Sequence, residues 1–125
     1  MRVLVQRCRR ASCEVDKEKI GSIDEGLVLF VGFTEGDSKD TIQWMVNKVL
    51  NLRIFPDDNG VMNRSIIDIN GKVLSISQFT LYADTKKGNR PSYLKAMRGD
   101  KAFLLYQYFN NLLKETVPVE IGKFA

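Results

Sequence analysis

The side chains with the clearest chemical potential lie in one short segment, Ser77-Gln78-Phe79-Thr80-Leu81, where an apolar run gives way to a polar, basic stretch. The alternation over residues 72–81 predicts a strand, in which successive side chains point to opposite faces. Gln78 and Thr80 would share one face of that strand. Two uncharged hydrogen-bonding groups on a rigid element could form a small polar site. A half-exposed strand with two polar residues facing water gives the same pattern, and from the pattern alone it is the commoner case.

The absence of histidine restricts the chemistry that this chain can perform. A Ser-His-Asp or Cys-His arrangement cannot exist within it, and a zinc site of cysteine and histidine is excluded as well. Cys8 and Cys13 come without a secretory signal sequence, so we interpret them as small strand residues and not as a disulfide framework. Asp57-Asp58-Asn59-Gly60 resembles half of a calcium loop. Its spacing is too short and the closing glutamate is missing, so we predict a turn and no metal site.

The positive charge of the chain is concentrated in two segments. Residues 1–10 and 86–101 together hold ten bases against one acid, whereas the rest of the chain holds nine bases against fourteen acids. Such asymmetry favours a polyanionic partner more strongly than the net charge of +4 does. An ordinary solvated surface is the alternative interpretation.

Length and composition predict one globular domain. The chain has 125 residues, of which 44% are hydrophobic and 27% charged. No apolar run approaches the length that a bilayer-spanning helix needs. The first residues lack the apolar core and cleavage site of a signal peptide, so a cytoplasmic protein is the default expectation.

Sequence periodicity predicts strands first and helices later. Alternation and turn residues indicate strands at 2–10, 12–15 and 20–23, and the continuous apolar run at 27–33 indicates a central strand buried on both faces. We expect these four strands to form an antiparallel meander. A later strand is predicted at 119–124.

Two longer segments carry apolar residues at helical spacing. The first stripe consists of Ile42, Met45, Val46, Val49 and Leu50, with Trp44 off the stripe and Asp37, Ser38 or Asp40 as the possible cap. The second stripe runs from Ala102 to Leu113, and Asp100 is the predicted cap of its helix. A short helix is also predicted at 92–97. The fold prediction is therefore α+β: a mainly antiparallel sheet or open β-barrel with two amphipathic helices packed on one face.

Several motifs together resemble the D-aminoacyl-tRNA deacylase family. They occur in the family's order from one end of the chain to the other. The motifs are Gln6-Arg7 with Arg10-Ala11-Ser12, Arg53-Ile54-Phe55, Met62-Asn63, Ser77-Gln78-Phe79-Thr80-Leu81, Asn89-Arg90-Pro91-Ser92-Tyr93 and Gly122-Lys123-Phe124-Ala125.

The resemblance implies hydrolysis of the ester that joins a D-amino acid, or glycine mischarged on tRNA-Ala, to the terminal ribose of tRNA. It also implies a cytoplasmic homodimer with active sites at the subunit interface and no metal or other cofactor. In such an enzyme the catalytic pocket around the aminoacyl group and the terminal adenosine would be lined by Ser77, Gln78, Phe79 and Thr80. Arg7 would support the element that rejects L-amino acids, and the other substrate-binding residues would be Gln6, Leu81, Pro91, Ser92 and Tyr93.

Two catalytic schemes are compatible with the resemblance. Thr80 could be a nucleophile, or the 2′-hydroxyl of the RNA could be the catalytic group. A threonine hydroxyl is a weak nucleophile without an adjacent base, and this chain has no histidine to activate it. We therefore favour the second scheme, with the backbone amides of Phe79 and Thr80 stabilising the developing oxyanion.

The sequence departs from the family in one respect. The family carries an Asn-x-Gly-Pro motif near its C-terminus, and that segment excludes L-amino acids. This chain has no Gly-Pro dipeptide, since its prolines follow Phe55, Arg90 and Val117. We expect residues 1–125 to form a single domain of this type that lacks the family's last strand and its Gly-Pro segment. A non-catalytic nucleic-acid-binding module that uses the two basic clusters is the alternative function.

Overall fold

The computed structural model describes residues 1–125, which form eight strands, two α-helices and one 3₁₀ turn. The strands are β1 (Arg2–Cys8), β2 (Ala11–Val15), β3 (Glu18–Ile23), β4 (Gly26–Gly32), β5 (Phe55–Pro56), β6 (Met62–Arg64), β7 (Lys72–Ser77) and β8 (Val119–Ile121). The helices are α1 (Lys39–Asn51) and α2 (Gly99–Lys114), and the 3₁₀ turn spans Phe79–Tyr82.

One four-stranded sheet, in the order β1-β4-β7-β8, organises the fold. Strand β4 lies inside it and is largely buried, which confirms the central strand predicted from the apolar run. β1 runs antiparallel to β4, whereas β7 and β8 run parallel to their neighbours. The β2–β3 and β5–β6 hairpins are separate antiparallel ladders, so antiparallel pairing predominates in the chain as a whole.

The predicted meander of the first four strands is wrong in its connections. β2 pairs only with β3, and β1 pairs with β4. Asp16 and Lys17 both adopt positive φ, which closes β2 and β3 into a tight hairpin. β4 is hydrogen-bonded on both edges, by β1 and β7, and its apolar side chains are largely buried, as expected for an inner strand.

Both helices pack on the sheet through one core, which confirms the α+β prediction. The core joins Ile42 and Val49 of α1, Phe109 and Leu113 of α2, and side chains of β4 and β7. Trp44 stays 61% exposed, as its position off the stripe predicts. Neither helix has the length and apolar character that crossing a membrane requires.

The first residues of the two helices can be compared with the predicted N-caps. Ser38, one of three predicted caps, is the N-cap of α1, where its amide donates to the Thr41 hydroxyl at 3.2 Å. The prediction of Asp100 as the cap of α2 is wrong, because Arg98 takes the cap position and Asp100 lies in the first turn. A carboxylate is also favourable there, since the helix dipole is positive at that end.

Two other predicted elements differ in the structure. The short helix at 92–97 does not form, because Ser92 and Ala96 are bridged to Asp84 and Thr34 on neighbouring segments. The last strand ends at Ile121 and does not continue to residue 124.

The parallel β4–β7 pairing yields a stability prediction. A Cβ atom at Gly26 would lie 1.8 Å from the carbonyl oxygen of Lys72, a backbone atom that cannot rotate away. We expect Gly26→Ala to lower the free energy of unfolding by about 2–4 kcal/mol, because the two strands must separate. Urea unfolding followed by circular dichroism would measure the loss. Gly99→Ala is the matched control, since a Cβ there meets nothing within 4 Å; equal stability of the two variants would contradict the prediction.

Candidate active site

A cleft opens where β4 and β7 end. These two strands are parallel, and Val31 of β4 lies beside Ser77 of β7, so both carboxyl ends reach the same edge of the sheet. The cleft encloses about 370 Å³ and is predominantly apolar. Its lining comes from β4 and the residue after it, from the end of β7 and the 3₁₀ turn, from the loop before α2, from the start of α2 and from the chain end: Val31, Gly32, Phe33, Ser77, Phe79, Tyr93, Ala96, Met97, Gly99, Ala102, Phe124 and Ala125.

The segment singled out in the sequence forms the first wall, but not as a strand. The amide of Gln78 donates to the Val31 carbonyl at 2.7 Å, and the chain then turns into the 3₁₀ turn. The prediction of a strand over 72–81 is therefore wrong beyond Ser77. β4 ends one residue after Val31, so no ladder remains for residues 79–81.

Gly32 lets the 3₁₀ turn lie close to β4. A Cβ at this position would stand 2.9 Å from the Gln78 carbonyl oxygen and 3.3 Å from Leu81 Cβ. Within the turn, the side-chain amide of Gln78 donates to the hydroxyl oxygen of Thr80. The Leu81 amide donates to the Gln78 carbonyl oxygen at 3.3 Å and is the first amide of the turn to form a hydrogen bond. The amides of Phe79 and Thr80, which precede it, donate to no acceptor in the chain.

The loop before α2 forms the second wall. Its base is the bridge between Asp84 and Ser92, whose amides donate to each other's carbonyls at 2.8 Å. The Thr34 hydroxyl donates to the Lys95 carbonyl, and the Met97 amide donates to Phe33 O at 2.9 Å. The loop is thereby fastened to the segment that follows β4.

Aromatic rings and the chain end complete the cleft. Phe79 and Tyr93 meet edge to face, with ring centroids 5.2 Å apart, and both are partly exposed. Phe124 packs in the same manner on Phe103, at 5.1 Å, on the other side. The Ser77 hydroxyl donates to the carbonyl of Ala125 at 3.3 Å.

The two basic segments are placed differently with respect to the cleft. Residues 86–90 lie exposed in the loop that leads to the second wall. In the first segment, Arg2 lies opposite Gly32 beside the cleft, whereas Arg7 lies opposite Leu27. Five residues of strand span about 17 Å, so the remaining arginines of that segment do not flank the cleft.

Burial also affects two titratable groups, Tyr82 in the first wall and Cys8 at the far end of β1. It raises the pKa of the Tyr82 phenol, with the Asp37 carboxylate raising it further and the Arg2 guanidinium opposing the shift. It likewise raises the pKa of the Cys8 thiol, which favours the protonated, unreactive form and agrees with its interpretation as a small strand residue.

At the predicted turn, Asp57 accepts hydrogen bonds from the amides of Asn59 and Val61. These bonds confirm the turn.

Comparison with known proteins is decisive for the family. The profile of the family described as D-Tyr-tRNA(Tyr) deacylase matches residues 4–125. A D-aminoacyl-tRNA deacylase of Chloroherpeton thalassium is 54% identical over 127 aligned residues, which cover all of this chain and 84% of the relative. The chain belongs to the D-Tyr-tRNA(Tyr) deacylase family. This is a family of hydrolases.

A second relative and two solved structures are also similar to this deacylase chain. A D-aminoacyl-tRNA deacylase of Bacillus pumilus is 47% identical, over all of this chain and 86% of the relative. The solved structure of a protein described as c-Myc DNA Unwinding Element Binding Protein superposes with a TM-score of 0.93 at 36% identity, over 99% of this chain and 85% of that one. A probable eukaryotic D-amino acid tRNA deacylase shares the fold, with a TM-score of 0.74 at 18% identity over 91% and 67% of the two chains.

The structure brings some of the predicted site residues of this deacylase chain together and leaves others apart. Ser77, Phe79 and Tyr93 line the cleft. The adjoining residues belong to the same two walls without lining it: Gln78, Thr80 and Leu81 in the first, Pro91 and Ser92 in the second.

Gln6 and Arg7 lie exposed at the far end of β1. The Arg7 guanidinium donates to the Ile54 carbonyl at 2.9 Å and does not reach the cleft of its own chain.

Several lining residues were not assigned to the site by sequence reasoning. Phe33 and Met97 are among them, because they are of the same types that fill the core. Phe124 lies in one of the motifs that carry the resemblance, but no feature of the sequence places it in the cleft. Sequence reasoning counted Arg2 only as part of a basic segment. Its position opposite Gly32, at the end of β4, depends on the β1–β4 register, which the sequence alone does not provide.

The fastening of the second wall gives a prediction of local stability. Thr34→Val keeps the side-chain shape but removes the hydroxyl that bonds the Lys95 carbonyl. We expect unfolding to become easier by about 1 kcal/mol, and the amides of Ala96 and Met97 to exchange hydrogen faster. Exchange followed by mass spectrometry would detect this. Thr85→Val, at an exposed position of the same loop, serves as the control; identical exchange in both variants would refute the assignment.

Proposed function

We propose that this chain hydrolyses the ester bond of D-aminoacyl-tRNA and releases free tRNA and the D-amino acid. The observation that carries the proposal is the coincidence of the family's signature segment, Ser77 to Leu81, with a wall of the apolar cleft at the end of β4 and β7. The relatives named D-aminoacyl-tRNA deacylase cover the whole chain, so the likeness includes every wall of that cleft.

The proposed chemistry relies on main-chain groups. The Thr80 hydroxyl accepts a hydrogen bond from the Gln78 amide, and such a donor cannot remove its proton. The amides of Phe79 and Thr80 are free to donate to an oxyanion. A donor of this kind contributes about 3–4 kcal/mol to transition-state stabilisation. The aminoacyl ester is already activated, so positioning against these amides, with the RNA 2′-hydroxyl as the catalytic group, is sufficient.

The walls suit the end of a charged tRNA. The partly exposed rings of Phe79 and Tyr93 offer apolar faces to a base or an aminoacyl side chain, and stacking of this kind contributes about 1–3 kcal/mol per base. The exposed bases Lys86, Lys87 and Arg90 lie in the adjoining loop, where they can neutralise phosphates. Ser77, Gln78, Thr80, Leu81, Pro91 and Ser92 complete the proposed contact region.

The proposal includes a homodimer with the active site at the subunit interface. Leu94, next to the cleft, is 94% exposed, and Leu4 on the open edge strand β1 is 56% exposed; both would be covered by a second subunit. In this arrangement Gln6 and Arg7 reach the cleft of the neighbouring chain, because they lie far from the cleft of their own chain.

Glycyl-tRNA is a second proposed substrate. The proposed location is the cytoplasm, where tRNA is charged.

A nucleic-acid-binding function is the second candidate. The solved relative at 36% identity is described as a DNA unwinding element binding protein, and this chain has the exposed basic loop that such binding uses. A binding module would hold generic DNA or RNA with an affinity that falls steeply as salt increases.

The deciding assay compares D-tyrosyl-tRNA and L-tyrosyl-tRNA side by side. We expect hydrolysis of the D-ester. We also expect Phe79→Ala to lower kcat/KM about tenfold or more, because it removes an aromatic wall of the cleft. Trp44→Ala is the matched control, since Trp44 is an exposed aromatic residue on α1, outside the cleft. A folded protein that cleaves neither ester, yet binds generic DNA in a salt-dependent manner, would replace the proposal by the second candidate.

The role of Thr80 can be tested separately. Thr80→Val removes the hydroxyl while preserving the branched shape, and the two backbone amides remain. Because the proposed donors to the oxyanion are unchanged, we expect kcat for D-tyrosyl-tRNA to stay within about threefold of the wild type. This corresponds to a loss of less than about 0.7 kcal/mol in transition-state stabilisation. A fall of about 10³-fold with an unchanged circular dichroism spectrum would instead identify Thr80 as the nucleophile.

A further inference from the structure

The side chain of Arg2 joins the central sheet to the 3₁₀ turn that forms the first wall of the cleft. Its Nη1 atom donates to the Leu81 carbonyl oxygen at 2.7 Å. The guanidinium carbon lies 4.5 Å from the centroid of the Tyr82 ring, within the range of a cation–π contact. Both contacts span about eighty residues of sequence, so they are tertiary contacts and not features of a local turn.

The turn needs an external fastening. A 3₁₀ turn of four residues holds itself by few hydrogen bonds of poor geometry, and the bond from the Leu81 amide to Gln78 O is 3.3 Å long. Gly32 allows the turn to approach β4 but has no side chain with which to hold it. Tyr82 is buried, which fixes the far end of the turn and presents its ring to Arg2.

Arg2 is well suited to provide that fastening. It lies in β1 and is paired directly with Gly32, so its backbone is fixed by the sheet. No carboxylate takes part in an ion pair with it, and the Leu81 carbonyl is therefore the polar partner of this guanidinium. A hydrogen bond from a charged donor is stronger than one between neutral groups, and a planar guanidinium can donate in its plane while its face lies on a ring.

We propose that Arg2 is a positioning residue for deacylation: it holds the Phe79–Tyr82 turn against β4, and so fixes the direction of the free amides of Phe79 and Thr80. This role rests on the proposed function, in which those amides stabilise the transition state. Arg2 is not among the residues that line the cleft, and it acts there only through the turn that it holds. Its loss therefore affects the chemical step more than substrate binding, since a small displacement of preorganised donors weakens transition-state stabilisation.

The kinetic test uses Arg2→Met, which keeps the length and the apolar stem but removes the charged donor. With D-tyrosyl-tRNA, we expect kcat to fall about tenfold while KM changes less than about twofold. Arg2→Lys recovers part of the loss and leaves kcat about threefold below the wild type, because an ammonium keeps the charged donor but has no planar face to lay on the Tyr82 ring. Lys19→Met, on the β2–β3 hairpin, removes one exposed positive charge elsewhere and leaves both constants unchanged. A higher KM at constant kcat in Arg2→Met would overturn the proposal and assign Arg2 to phosphate binding.

A second measurement does not depend on activity. In the free protein, hydrogen exchange at the amides of Leu81 and Ala83, the bonded amides of the turn, should be at least about fivefold faster in Arg2→Met than in wild type. The amides of α1 should exchange at the wild-type rate, which shows that global unfolding is not the cause. Unchanged exchange at Leu81 and Ala83 overturns the fastening role whatever the kinetics show. If the wild type lacks deacylase activity, the proposed function fails, and this exchange measurement still decides whether Arg2 holds the turn.

Discussion

The parallel pairing of β4 with β7 is the constraint on which the rest of the molecule depends. It brings two chain segments that are more than forty residues apart to the same edge of the sheet, with Val31 beside Ser77. The pairing requires Gly26 at its start, where the Lys72 backbone leaves no room for a Cβ atom, and Gly32 at its end, where the 3₁₀ turn comes close. Every wall of the cleft is attached to one of these two strand ends.

Much of the fold follows from local sequence patterns. The run at 27–33 is apolar in every position that the sheet buries, and the stripe from Ile42 to Leu50 matches the buried face of α1. Ser38 could be predicted as a cap because its side chain is of the right type, directly before that stripe. These features depend on residues close in sequence, which periodicity and capping preferences describe.

The connections between elements could not be predicted in the same way. Periodicity marks β1 as a strand but does not say that it pairs with β4 and not with β2, since the backbone groups at its edge can bond to either strand. The strand predicted to continue to Leu81 fails for a related reason. Residues 78–81 keep the alternating pattern, but the backbone bond from Gln78 to Val31 is the last one that β4 makes with this segment. The end of a strand is thus determined by the length of its neighbour, which is a tertiary property.

The same reasoning explains why the candidate site was recognisable as a motif although much of its apolar lining was not. Ser77, Phe79 and Tyr93 occur in segments that a family signature can identify, whereas the lining residues Phe33 and Met97 are indistinguishable by type from core residues. The donors of the proposed chemistry are main-chain amides, which every residue except proline possesses. Their availability arises from the 3₁₀ turn, because its first amides precede any internal acceptor.

One buried hydrogen bond links the site to the opposite layer of the molecule. The Tyr106 hydroxyl of α2 donates to the carbonyl of Ser75 at 2.7 Å, two residues before the cleft begins. Burial raises the pKa of this phenol, so the hydroxyl stays protonated and remains a donor well into the alkaline range. A buried bond of this kind would be costly to leave unmade, and it therefore fixes the position of α2 along β7. Because Gly99 and Ala102 at the start of α2 line the cleft, this bond and the core contacts of Phe109 and Leu113 together hold that side of the cleft in place.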